Sequence, residues 1–209
     1  LRASGKVGAR TTGTTIHFWP DETFFDSVKF SVPRLKHVLR AKAVLCPGLY
    51  VSFTNKANKK DDEDWQYEEG LSDYLYYELE EYELLPEEPF VGHHKTEDEQ
   101  ADWAIVWMPE GGEPLTESYV NLVPTPQDGS HVAGFRQGRA DAMREFCEYR
   151  NLLPKGVKLT ADDIISHASF VLSLKMKEPQ FAGQTKERLS SKDAQAYMAT
   201  AAKEGFSLW

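Results

Sequence analysis

The chain has 209 residues and 41% hydrophobic side chains, so one large or two small domains with a real core are within reach. No apolar run approaches the roughly 20 residues of a membrane helix, no secretory signal opens the chain, and two cysteines, Cys46 and Cys147, are no disulfide framework but read as buried free thiols of a cytosolic protein. The net charge of −9 argues against nucleic acid only as an average. Residues 1–59 carry ten basic and three acidic side chains, residues 60–117 two and twenty, and residues 118–209 twelve and ten. The acid is thus confined to a central block, expected to be a solvated, self-repelling face, and the basic residues on either side stay available.

In chain order, residues 1–10 read as a loop, and an opening at Leu1 rather than methionine suggests a piece of a longer protein. The run 14–19 is strand-like. Ser31 starts a helix with Pro33 in its first turn, where a missing amide costs little; Leu35, Val38 and Leu39 form its stripe and Pro47-Gly48 ends it. Residues 49–53 alternate as a strand, 55–64 form a charged hairpin loop, and a second strand follows around Trp65-Gln66-Tyr67. Leu71, Leu75 and Leu79 mark a connecting helix. His93 and His94 are adjacent in a polar stretch, with no metal-ligand spacing.

Two strands are expected at 103–108 and 117–123, with Pro109-Glu110-Gly111-Gly112 as a hairpin turn between them. Ser130 is placed to cap a long helix with the stripe Val132, Phe135, Ala142, Met143, Phe146 and Cys147. Thr160 and Asp163 open a short helix. Phe170, Leu172, Leu174 and Met176 then alternate as a half-buried strand, which Pro179 ends, and Ser190 can cap a last helix bearing Ala194, Tyr197, Met198 and Ala201. The pattern predicts an α+β layer with helices on one sheet face. Between strand and last helix lies Gly183-Gln184-Thr185-Lys186-Glu187-Arg188-Leu189, a polar loop that offers an amide and a cation to a phosphate.

The stretch Pro179 to Leu189 resembles the Gln-Thr-Lys loop of type IIA DNA topoisomerase ATPase subunits. Thr12-Gly13-Thr14-Thr15-Ile16-His17-Phe18-Trp19-Pro20-Asp21, residues 118–125, residues 129–136 and residues 141–150 resemble further blocks of that family in the same order, the first and last being closer to topoisomerase IV B subunits than to gyrase. The turn before the long helix departs from the family's Gly-Gly-Thr-His and reads Asp128-Gly129-Ser130-His131.

The resemblance implies the C-terminal part of a GHKL-type ATPase domain at 1–67, then a transducer domain at 68–209. The transducer would have a mixed four-stranded sheet with helices on one face, a ribosomal-protein-like βαβ fold. It implies that Lys186 reaches the γ-phosphate of ATP as the catalytic cation, with Gln184 beside it and Thr14 near the adenine. Arg136, three residues from Arg139 on one helix, would line the path of transported DNA. ATP and Mg²⁺ are the implied cofactors, the Mg²⁺ ligands lying outside this stretch. DNA, a topoisomerase IV A subunit and a second B subunit (an A2B2 assembly) are the implied partners, with no membrane and a cytoplasmic location. A stretch lacking the Mg²⁺ ligand and the catalytic base is expected to be inactive alone. Two alternatives stand beside this reading: a gyrase B subunit that supercoils DNA, and a non-enzymatic nucleic-acid-binding α+β module that uses Arg136 and Arg139.

Overall fold

The computed structural model describes Gly5, Gly8 and residues 12–157 and 159–209; the loop expected at 1–10 otherwise lies outside the described residues. Residues 12–31 form no helix or strand. Ile16 and Trp19 are 78% and 75% exposed, so the strand expected at 14–19 is not formed. The reason is pairing: a strand is held by a neighbour's ladder, and none of the described strands runs beside this segment.

Ser31 accepts the amide of Arg34 and opens helix α1, Val32–Leu45, with proline in the first turn as expected. Its most buried residues are Ala41, Ala43, Val44 and Leu45, while Leu35, Val38 and Leu39 are half-buried. Gly48, at φ +78°, turns the chain into a short antiparallel hairpin of β1, Val51–Phe53, and β2, Glu63–Trp65. Helix α2, Leu71–Glu78, follows.

Five strands then form one sheet: β3 Leu85–Lys95, β4 Glu99–Trp107, β5 Thr116–Val120, the two-residue β6 Val123–Pro124, and β7 Ala168–Met176, in the order β3-β4-β7-β5-β6. The sheet is mixed, since β5 and β7 run parallel and the other pairs antiparallel. Three expectations change here: the mixed sheet has five strands rather than four, the fifth being the two-residue β6. Pro109–Gly112 is not a hairpin turn, because β7 lies between β4 and β5 and pairs with both. And β7 is not half-buried: as the middle strand it has a covered face on each side, so Val171 and Ser173 are as buried as Leu172 and Leu174. The acidic run before residue 90 leads into β3, an edge strand with charged residues at its start, a usual defence of an exposed edge.

The long helices α3, Ser130–Tyr149, and α5, Lys192–Leu208, share one face of the sheet. Their core joins Val132, Phe135, Met198 and Phe206 to Trp103, Phe170, Leu172 and Leu174. The opposite face is covered by α2, and α1 with the β1–β2 hairpin packs there as well. Leu71, Leu75, Val106, Met108 and Val171 share one core with Val44, Leu45 and Trp65. Apolar side chains from both sides of residue 68 are therefore packed together.

The two long helices approach closely because glycines face the partner's backbone. A Cβ on Gly134 would lie 2.3 Å from the Gln195 carbonyl oxygen, and one on Gly138 would lie 2.1 Å from that of Ala199. We expect Gly138→Ala to force the helices apart and cost about 1–3 kcal/mol, which lowers Tm by roughly 3–10 °C in a thermal melt. Gly183→Ala, with nothing within 4 Å, should leave Tm unchanged.

Candidate nucleotide-sensing hairpin

The segment between β7 and α5 folds back as a small hairpin. Ala182 donates to the Arg188 carbonyl at 2.9 Å, Ser190 donates to the Gln180 carbonyl at 2.8 Å, and Phe181 bridges Leu189. Gly183 to Lys186 is the tip, closed by the Lys186 amide on the Gly183 carbonyl at 3.2 Å. Gln184, Thr185 and Lys186 are all exposed. Lys186 has φ +58°, an unfavourable region for a side chain other than glycine, and its Nζ lies 5.8 Å from the centroid of the Phe181 ring. The start of the following helix differs by one residue from the expectation: Ser191 is the residue before α5, with its hydroxyl accepting the Gln180 amide at 2.8 Å, while Ser190 Oγ donates to the Gln180 carbonyl.

The hairpin is tied by backbone to the start of α3. Gln127 donates to the Glu187 carbonyl at 3.0 Å, Leu189 to the Asp128 carbonyl at 3.2 Å, and Ser130 to the Leu189 carbonyl at 3.0 Å. Gly129, at φ +139°, sits flat on this contact, and a Cβ there would lie 2.4 Å from the Leu189 oxygen. Gln127 Nε2 adds a bond to the Glu187 carboxylate at 2.8 Å. Ser130 does not cap α3 as expected: it is the first helical residue, Gly129 occupies the cap position, and the Ser130 hydroxyl is buried without a partner.

On α3 the two arginines part company. Arg136 is half-buried and donates from Nη2 to the Asp128 carboxylate at 3.2 Å. Arg139 is 0% exposed, so the shared solvent face expected for the pair does not exist. One helical step turns Arg139 into the sheet, its guanidinium carbon 5.5 Å from the Phe135 ring centroid and 6.0 Å from that of Phe170. None of its three nitrogens has a hydrogen-bond partner among the described residues. Burial, with the Arg136 cation adding to it, pushes the Arg139 guanidinium down to about 10. Arg139 in this position cannot touch DNA.

His131, at the start of α3, is also fully buried, with Nε2 3.2 Å from Thr125 Oγ1 and Nδ1 unpartnered. Burial pushes its imidazole down to about 4. Thr14 belongs to neither group; it is exposed in the unpaired segment 12–31. Cys46 and Cys147 are free, though half-buried rather than buried. His93 pairs with Asp102, and His94 Nδ1 lies 3.2 Å from the Tyr197 hydroxyl. Among the described residues no three acidic, histidine or cysteine side chains are grouped to hold a metal ion, and no helix is long and apolar enough to cross a membrane.

The chemistry the hairpin offers is narrow. It presents one exposed cation and one amide on a tip whose base is fixed by backbone bonds, which suits an anion brought to it and provides no base or nucleophile. The model of the family described as DNA gyrase B matches residues 70–209. The chain belongs to the DNA gyrase B family. It is 58% identical over its full length to the B subunit of DNA topoisomerase 4 from Salmonella typhimurium, of which it spans 33%. Among solved structures it resembles the topoisomerase IV ATP-binding domain of Francisella tularensis in complex with a small-molecule inhibitor, at 40% identity and a TM-score of 0.75, covering 92% of this chain and 51% of that one. The 43K ATPase domain of Thermus thermophilus gyrase B, in complex with an aminocoumarin, shares the fold at 23% identity and a TM-score of 0.74, over 90% of this chain and 50% of that one. The chain thus spans about a third of the curated relative, and within this family it carries a mixed α+β body with the hairpin at one corner.

Two measurements probe the buried charges. Above pH 6.5 His131 is neutral folded and unfolded; as pH falls towards 4 only the unfolded chain takes up the proton, so stability present above 6.5 is lost across that window. Urea unfolding should show about 3 kcal/mol of this loss, and His131→Asn should flatten it. Arg139→Met removes an unpaired buried cation while keeping the volume, and should raise the urea midpoint by the equivalent of about 1 kcal/mol or more.

Proposed function

We propose that this chain is the coupling segment of the ATPase subunit of an ATP-dependent type II DNA topoisomerase of the topoisomerase IV kind, which relaxes and decatenates DNA by double-strand passage. The observation that carries the reading is the hairpin tip, an exposed Lys186 and Gln184 on a base tied by backbone to α3. Lys186 is a compact charge with three donors, and a charge-assisted bond to a terminal phosphate contributes roughly 1.5–3 kcal/mol. In this reading it holds positive charge against the γ-phosphate as the bond to the β-phosphate loosens. Gln184 supplies a second donor or positions a water. Thr14, in a segment with exposed apolar side chains, lies near the adenine once the rest of the ATPase domain encloses it.

Mg²⁺, when bound, neutralises phosphate charge from ligands outside this segment. Once the γ-phosphate leaves, Lys186 loses its anionic partner, and the equilibrium between docked and released hairpin shifts by that differential contact. The body that pivots then includes residues 32–67 as well as 68–209, because α1 and the β1–β2 hairpin share one apolar core with α2 and the back of the sheet. DNA passes on the side of Arg136. A second B subunit and an A subunit complete the cytoplasmic assembly, and this segment alone does not turn over ATP. The rival reading as a plain nucleic-acid module is weakened, since burial of Arg139 halves its basic pair.

In the complete B subunit, Lys186→Ala should lower ATP turnover by about a hundredfold or more while weakening nucleotide binding far less, the pattern of a group that acts in the transition state. Near-normal turnover would reduce the hairpin to an ordinary surface turn.

A further inference from the structure

Asp128 occupies two structures at once. Its backbone is part of the ladder that holds the hairpin: the Asp128 carbonyl accepts the Leu189 amide at 3.2 Å, and the Asp128 amide donates to the Thr125 carbonyl at 2.9 Å. Its φ of +58° is the left-handed conformation that aspartate and asparagine tolerate better than other side chains. Its carboxylate meanwhile holds Arg136 Nη2 at 3.2 Å. No other hydrogen bond to the Arg136 side chain occurs among the described residues, and its Nε is buried without a partner.

The surroundings make this pair more than a surface decoration. Arg139 brings a second cation beside Arg136, with no acceptor of its own. The Asp128 carboxylate is thus the one anion paired with Arg136 among the described residues, while the Arg139 cation repels Arg136. Arg136 and Asp128 are each partly exposed, so an incoming phosphate oxygen can compete for the same guanidinium. A shift of residues 187–189 moves the Asp128 backbone, and the carboxylate moves with it.

We infer that Asp128 is a positioning residue that restrains the DNA-facing Arg136 and links its release to movement of the nucleotide-facing hairpin. This inference rests on the reading of Lys186 and Arg136 given above. DNA phosphate draws Arg136 from Asp128, the freed carboxylate and its backbone relax against residues 187–189, and the hairpin responds. By reciprocity a hairpin displaced by nucleotide alters the hold on Arg136.

The test is ATP turnover of the complete B subunit, assembled with its A subunit, against DNA concentration at fixed salt. Asp128→Asn keeps the left-handed turn and removes the charge. The expected result is a split: the DNA concentration for half-maximal stimulation falls about three- to fivefold, the scale of an exposed ion pair, while the maximal stimulation by DNA drops at least about twofold. A merely structural role for Asp128 would worsen both quantities together, and that outcome overturns the inference, as does no change in either. Arg136→Gln separates the two levels. If Arg136→Gln raises the half-stimulating concentration and cancels the effect of Asp128→Asn, the link stands. If Arg136→Gln raises it but Asp128→Asn still acts in that background, the link fails and the DNA role of Arg136 survives. If Arg136→Gln changes nothing, the DNA role fails and the link with it.

Discussion

A strip of backbone joining residues 127–130 to residues 187–189 is the constraint on which the rest of this chain depends. Three amide-to-carbonyl bonds cross it, and they close only because Gly129 offers no Cβ to the Leu189 carbonyl. A hairpin held by side chains could swing on its stem. Held by main chain, it moves only with the start of α3. That helix is in turn pressed against α5 at Gly134 and Gly138, whose missing side chains let backbone approach backbone. Hairpin, α3 and α5 form one mechanical unit, with the exposed cation at one corner and a charged arginine a few turns away.

Much of this could be read from residue order, and the failures have physical causes. The strand at 168–176 is visible as an alternation, yet the same alternation hides that it is central. Val171 and Ser173 look like an outer face until α2 and α1 are known to cover it. The turn at 109–112 has hairpin chemistry, but pairing is decided by the whole sheet, and β7 enters between its neighbours from more than forty residues downstream. The edge strand β3 is masked by its own acid. At 14–19 the periodicity is sound and the partner is what fails, since local propensity cannot supply a ladder.

The candidate site divides in the same way. The tip Gly183–Lys186 is legible because its polar residues stand between two apolar runs, and the family resemblance supplies its chemistry. The pairing of Arg136 with Asp128 is not legible: eight residues apart, the two meet only because the chain turns left-handed at 128 before the helix begins. Helical spacing places Arg136 and Arg139 on neighbouring positions, but a three-residue step rotates a side chain by about 60° short of a full turn. On a helix flush against a sheet that rotation separates half-exposed from buried.

Arg139 and His131 show where the fold gives up stability. Both are fully buried, both lack hydrogen bonds that their nitrogens could make, and both lie on α3, His131 at its start and Arg139 near its middle. A neutral imidazole can tolerate this with the single contact to Thr125. A guanidinium cannot, because its desolvation is repaid by neither an anion nor a carbonyl. Stacking on Phe135 and Phe170 recovers part of that energy. The rest leaves α3 less tightly seated than its apolar contacts alone would make it. Among the described residues no unpartnered buried cation lies in the apolar core of the opposite face, where residues 32–67 are packed onto the sheet. The unpartnered buried cation thus lies on the α3–α5 face of the sheet, against Phe135 and Phe170.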